Sequence, residues 1–416
     1  MNHHFSRIGS ALLALAALGA QAQDAAFPQF TFRGYGTLGG VGTDNDHADY
    51  LVDAFKPNGP GHTRRWSADA DSRIGLQLSS QFTSTLSAVV QVLSQQDYRN
   101  SYRPTVEWAN LKYQVTPDLS VRGGRIVLPV FMVSDTRRVG YSNPWVRPPV
   151  ELYSLVPVTS SDGLDATYRL PVGDFTNTFQ LTLGRSDSKF PNASGFDAGS
   201  AKVRNLVAWV DSIERGFATL RLSGGEARLT IDAFEPFSAA LRQFGPAGIG
   251  LADKYSVADR RITFVGVGAS YDPGDWFAMG EWARFKTNSI LGTKSAWYVS
   301  GGYRLGKITP YVTYARIKAD TPTADAGLPL AGLPPEAAAT AFFLNTTLNA
   351  RLNLLPVQRT ISAGLRWDFA KNAALKVQYD HVDLGTNSRG TFGNVQPGFQ
   401  PGGNVQVFSA AVDFVF

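Results

Sequence analysis

The feature that most constrains this chain is a period-two alternation of apolar and polar side chains that recurs along almost its whole length. Phe30-Thr31-Phe32-Arg33-Gly34-Tyr35 begins it, and Arg73-Ile74-Gly75-Leu76-Gln77-Leu78 sets aliphatic side chains against Arg, Gly and Gln. Leu164, Ala166, Tyr168 and Leu170 oppose Asp165, Thr167 and Arg169; Ile361, Ala363, Leu365, Trp367 and Phe369 oppose Ser362, Gly364, Arg366 and Asp368. Successive side chains of a strand point to opposite faces, so this pattern means strands with one apolar and one polar face. A water-soluble sandwich makes the same pattern, so alternation alone leaves two all-β solutions open.

The spacing of the segments separates them. About sixteen can be counted, starting near residues 30, 72, 85, 106, 119, 163, 175, 202, 217, 262, 276, 296, 308, 359, 374 and 404. Tight connections such as Thr116-Pro117-Asp118, Asp272-Pro273-Gly274-Asp275 and Gly306-Lys307 alternate with long ones over 43–71, 127–162, 226–260 and 319–357. Short turns at one end and long loops at the other predict a transmembrane antiparallel β-barrel with periplasmic turns and extracellular loops. An even strand number returns both termini to the short-turn side.

Charge placement supports the same reading. On this register the polar face carries Arg73, Lys112, Arg122, Arg169, Arg204, Arg221, Glu281, Arg304, Arg366, Asp368, Lys376 and Asp413, and the middle of the apolar face carries no charge. A Lys or Arg facing lipid at the midplane costs about 2–4 kcal/mol. Arg125, Arg284 and Arg316 share the apolar parity, where strands run into long loops, and are expected at the rim. Aromatics gather near segment ends, as in Tyr113, Trp209, Tyr271, Trp276, Tyr303, Tyr314, Trp367 and Phe416. This explains how 416 residues that are 44% apolar, with a mean hydropathy of -0.12, can belong to a membrane protein: only alternate strand residues meet lipid.

The chain has no Cys, which excludes a disulfide framework, a Cys-zinc site, an iron–sulfur cluster and thiol catalysis. Its 39 basic and 34 acidic residues imply no nucleic-acid partner. At the amino terminus His3, His4 and Arg7 precede the apolar Ala11–Leu18 and the small-residue site Ala20-Gln21-Ala22. Residues 1–22 therefore read as a cleaved secretory signal, leaving 23–416 as one barrel domain.

Gly123-Gly124-Arg125, Pro310-Tyr311 and the closing Val412–Phe416 resemble the Gram-negative general porins, and the resemblance covers essentially the whole exported chain. It implies a sixteen-stranded water-filled barrel in the outer membrane of a Gram-negative bacterium, surrounded by lipid and lipopolysaccharide and assembled as a homotrimer, with no cofactor. It also implies that Val412, Phe414 and Phe416 form a signal read by the barrel-assembly machinery, and that the third long loop, 126–162, folds into the pore. That loop departs from the acidic Pro-Glu-Phe-Gly-Gly stretch of enterobacterial-type porins. Here Ser134-Asp135-Thr136-Arg137-Arg138 is followed by Asn143-Pro144-Trp145-Val146-Arg147-Pro148-Pro149, whose prolines suit a rigid edge.

Within the loop, Arg125, Arg137, Arg138 and Arg147 outnumber Asp135 and Glu151. With Arg73, Lys112, Arg122, Arg169, Arg221, Arg304, Arg366 and Asp165 they make the expected pore-lining set, and their excess of positive charge predicts a modest anion preference. Local pairing of Asp165 with Arg169 and of Asp368 with Arg366 would weaken it. The expected function is passive diffusion of small hydrophilic solutes and ions. Alternatives are a channel selective for a small anionic or organic solute, a structural or adhesive surface barrel, and a soluble secreted β-protein.

Other motifs carry less. Gly34-Tyr35-Gly36-Thr37-Leu38-Gly39 matches a dinucleotide fingerprint but no helix follows it. Asp44, Asp46 and Asp49 lack EF-hand spacing, and so imply no metal site. Downstream of the signal only His47, His62 and His381 are available, with no GxSxG elbow, so no catalytic residue is expected. The Ala-rich run Pro334–Leu348 reads as a short helix in the seventh long loop.

Overall fold

The computed structural model describes residues 27–416 apart from 194 and 196, so the 1–22 signal segment lies outside the described residues. Sixteen long strands make one closed antiparallel sheet. They are β1 (Gln29–Thr43), β2 (Arg73–Gln81), β3 (Leu86–Gln95), β4 (Thr105–Gln114), β5 (Leu119–Val127), β6 (Ser160–Val172), β7 (Phe175–Phe190) and β8 (Gly199–Arg215). Then follow β9 (Ala218–Ile231), β10 (Arg260–Tyr271), β11 (Trp276–Thr287), β12 (Lys294–Tyr303), β13 (Ile308–Ala319), β14 (Gln358–Ala370), β15 (Ala373–Leu384) and β16 (Asn404–Val415). Each expected segment coincides with one of them. Every strand pairs with its neighbours in sequence, and β1 pairs with β16 from Tyr35↔Val415 to Thr43↔Val407, which closes the barrel and leaves no free edge.

The alternation is realised as outward apolar and inward polar. Leu76, Leu78, Val90, Leu111 and Leu164 are exposed on the outside, while Gln77 pairs with Gln91 and Arg122 with Asp165 on the inside. At the short-turn end Tyr271 lies 5.3 Å from Trp276 and 6.4 Å from Phe217, an aromatic belt suited to a membrane interface. The glycines of the dinucleotide-like motif serve the closing seam. A Cβ on Gly34 would stand 2.2 Å from the Phe416 ring, and one on Gly36 would stand 2.4 Å from Phe414.

One inward assignment is overturned. Arg204 lies on the outward side, 2.8 Å from Asp187, because the pairing of β8 with β7 and with β9 slips there. Asn205 adopts φ +50° at the slip, and this bulge inverts the parity of what precedes it.

The long loops are themselves structured. In the first, Trp66–Ser67 pairs with β1, and Asp49–Tyr50 pairs with Phe392–Gly393 of the last loop. The third contains α1 (Val150–Tyr153), the fifth α2 (Glu235–Arg242) and α3 (Gly245–Tyr255), and the seventh α4 (Pro335–Leu352). Helix α4 fulfils the expectation for 334–348. Helices α2 and α3 were not expected, although each has Pro in its first turn and α3 spaces Gly248, Leu251, Ala252 and Tyr255 on one buried face. Phe237, Leu241 and Leu251 meet Leu344, Leu348 and Leu352 in one apolar cluster over the barrel mouth. No helix among the described residues is long and apolar enough to cross a membrane.

Candidate functional site

The third long loop leaves β5 and turns into the barrel, where wall side chains fasten it residue by residue. Arg221 of β9 donates to the Pro129 carbonyl (2.9 Å) and the Ser223 hydroxyl to that of Val130 (2.9 Å). The Met132 amide donates to Glu281 of β11 (2.7 Å), whose carboxylate also receives the hydroxyls of Tyr153 (2.7 Å) and Tyr298 (2.8 Å). Trp145 donates its indole N–H to Ser300 of β12 (2.8 Å) and Thr313 of β13 (3.0 Å). Arg366 of β14 donates to the carbonyls of Tyr141 (2.7 Å) and Asn143 (3.1 Å).

On β15, Lys376 donates to the carbonyls of Gly140 (2.7 Å) and Trp145 (2.9 Å) and lies 2.8 Å from Asp413 of β16. The Thr37 hydroxyl of β1 donates to the same Asp413 (2.5 Å). The loop thus lies along the arc from β9 through β16 to β1. Between the polar anchors, Leu128, Phe131, Trp145, Leu152 and Tyr153 pack on Phe264, Phe277, Phe285, Tyr298 and Ile317. The inward face of β10–β13 is therefore largely apolar, which a sequence reading of the lumen as uniformly polar did not anticipate.

The opposite arc, β2–β6, keeps hydrophilic inward side chains. Gln77, Gln91, Asn110, Lys112, Arg122 and Asp165 line it in cross-strand pairs.

Charge is concentrated where the loop meets the first long loop. A cavity of about 30 Å³ is lined by Lys56, Arg73, Arg137, Arg138 and Arg147 against Asp53 and Asp71. Arg147 is held by Asp71 (2.6 Å), Asp380 (3.4 Å) and the Ser409 hydroxyl (2.7 Å). Arg137 donates to the carbonyls of Tyr153 (2.9 Å) and Val156 (3.0 Å), so no carboxylate neutralises it directly. Arg138 lies 3.8 Å from Asp53, and its Nε is buried without a protein partner. Burial, reinforced by the neighbouring guanidiniums, pushes Arg137 down to about 10 and Lys56 down to about 8. Burial works against the Asp53 and Asp71 carboxylates, yet Arg138 and Arg147 respectively hold them below the usual range. The buried Glu151 carboxyl has its pKa raised by burial, against the hydrogen bonds it accepts from Gln358 (2.7 Å) and Thr360, which favour its charged form.

The remaining residues of the expected lining set disperse. Arg122 pairs with Asp165 (2.6 Å), which leaves Arg169 on the inward register without a side-chain partner among the described residues. Lys112 is likewise inward and unpaired among them. Arg366 pairs with Asp368 (2.8 Å), as its sequence neighbourhood suggested. Arg304 pairs with Asp272 (2.6 Å) at the short-turn end, and Asp135 is exposed on the loop. Arg125 leaves the lumen: it points outward beside Asp162 (2.7 Å), because Arg122 and Gly124 occupy the inward register of β5. Val412, Phe414 and Phe416 belong to the outward side of the closing strand. Lys56, Asp53 and Asp71 escaped the sequence reading. They lie in a different long loop, and no spacing rule links them to the third.

A family model described as Gram-negative porin matches residues 9–413. No curated sequence matches. Among solved structures, OmpF of Salmonella typhi in complex with daunomycin is similar at a TM-score of 0.53 and 14% identity, covering 94% of this chain and 98% of its own. The outer membrane channel DcaP of Acinetobacter baumannii is similar at 0.53 and 11% identity, covering 95% and 100%. OmpT of Vibrio cholerae follows at 0.51 and 13% identity, with the same coverage of 95% and 100%. At these identities the likeness to solved structures shows the fold.

Proposed function

The chain belongs to the Gram-negative porin family, an outer-membrane channel rather than an enzyme, and from that premise we propose that it passes small hydrophilic solutes and ions by diffusion with a modest preference for anions. The supporting observation is the cluster where the third loop meets the first, whose lining sets five basic side chains against Asp53 and Asp71, with Asp380 as a further partner of Arg147. Fixed charge at the narrowest section sets the field that an ion meets after losing part of its hydration. Lys112 and Arg169 add unpaired positive charge along the hydrophilic arc. Reversal potentials across planar bilayers in a KCl gradient test the reading. Chloride is expected to outrun potassium, and a potassium preference would overturn it.

Three further parts of the proposal rest on membership of the family. Residues 1–22 serve as the export signal, Val412, Phe414 and Phe416 serve recognition by the barrel-assembly machinery, and the outward face meets lipid and lipopolysaccharide. The chain also assembles as a homotrimer, in keeping with the trimer form of the Vibrio cholerae OmpT, a fold relative at a TM-score of 0.52. Sizing of the detergent-solubilised protein checks the trimer.

A further inference from the structure

A second cavity adjoins the basic cluster through Asp53, where the first, third, sixth, seventh and eighth long loops meet at the barrel mouth. Its volume is about 150 Å³. Most of its wall is apolar, formed by Leu51, Leu291, Leu354, Leu355 and Phe392. Polar side chains interrupt that wall at Asp53, Ser154, Lys294, Arg389 and Thr391.

Lys294 opens β12 on the inward register, paired with Phe285. Its ammonium lies 5.5 Å from the centre of the Phe285 ring, and no carboxylate acts on it among the described residues. The Thr391 hydroxyl is buried and has no protein partner, although the backbone amide of the same residue donates to Gln358 (2.8 Å). Asp53 also borders the cavity, but its carboxylate accepts from the Phe55 amide (2.8 Å) and faces Arg138. Lys294 is only partly buried, but its ammonium has no carboxylate partner among the described residues, and the Thr391 hydroxyl is buried without one; an anionic acceptor in the cavity they line would answer both.

The two halves of this lining ask for different things. An inorganic anion would answer the ammonium and leave the aliphatic wall unmatched. A neutral hydrocarbon would fill the wall and leave the ammonium further desolvated. A cavity of this volume admits a body about the size of benzene. We propose that this loop junction binds a small organic carboxylate with a compact apolar body, its carboxylate against Lys294 and Thr391 and its body against the leucines and Phe392. Because Val150 and Ser154 of the constriction loop also line the cavity, an occupied site stands beside the entrance to the passage.

Titration calorimetry on the purified, detergent-folded full chain tests this with benzoate as the probe and acetate and benzyl alcohol as controls. Saturable binding of one benzoate per chain is expected, with both controls at least tenfold weaker. Lys294→Met is expected to weaken benzoate at least tenfold, and Thr391→Val several-fold. Leu355→Trp, which fills the cavity without touching charge, is expected to abolish binding. Heat-modifiability on gels verifies that each variant is folded. Absence of benzoate binding, acetate binding as tightly, or unchanged affinity in folded Lys294→Met would each overturn the site. The KCl reversal potential of the unaltered channel reports on anion preference separately, so either reading can fail alone.

Discussion

Arg147 carries more of the constriction than any neighbouring side chain, because it joins the third long loop to Asp71 of the first loop, Asp380 of β15 and Ser409 of β16. It is 6% exposed, so its partners have little access to water if it is removed. Arg147→Ala leaves the buried Asp380 without an ion-pair partner and Asp71 with only Arg73 at 3.8 Å, and breaking a buried pair in this way costs about 3–5 kcal/mol. The expected result is a lower unfolding midpoint in denaturant together with noisier single-channel current. Lys56 gives a pH dependence whose sign is fixed. Its ammonium, held at about 8 chiefly by burial, is charged below that pH and neutral above it. Anion preference is therefore expected to fall as pH rises through about 8, and Lys56→Met should flatten that step in reversal potentials measured from pH 6 to 9.5. Neither residue's partners could be read from the sequence, since each contact joins segments that only the closed barrel brings together.

Among the elements, the strands were legible and the loops only partly so. Lipid outside β2 demands apolar Leu76 and Leu78, and the passage inside accepts Gln77, so the physical requirement writes itself into adjacent positions. Leu76→Arg is expected to cost roughly 2–4 kcal/mol of folding stability in lipid, depending on its depth. Gln77→Arg should leave stability nearly unchanged and increase anion preference. Urea titrations in lipid vesicles and reversal potentials separate the two. The alternation misleads where a second influence acts. The bulge at Asn205 turned Arg204 outward, and the loop leaning on β10–β13 made Phe264, Phe285 and Tyr298 acceptable on the inside. Helix α4 was visible through its alanines, whereas α2 and α3 combine Gly and Pro in a way that reads as loop until the buried face of α3 is noticed.

For the whole molecule, the constriction loop and the wall form one apolar cluster, so the loop is structural as well as a pore edge. Burying a large apolar side chain contributes about 1.5–3 kcal/mol, and Phe131, Trp145 and Leu152 are each almost fully buried. Replacing 131–152 by a short Gly-Ser link is therefore expected to raise single-channel conductance several-fold and to lower the unfolding midpoint together. A wider pore of undiminished stability would show that the loop is a detachable lid. The seam between β1 and β16 has a consequence for how the protein is made. Thr37 and Asp413, joined across it, are 376 positions apart, whereas every other strand meets a partner next to it in the chain. Until that pairing forms, the sheet is an open ribbon with two bare edges, each able to recruit a stranger's strand. Substitutions along the seam should therefore be felt in the yield of assembled channels, while the channels that do assemble conduct as before.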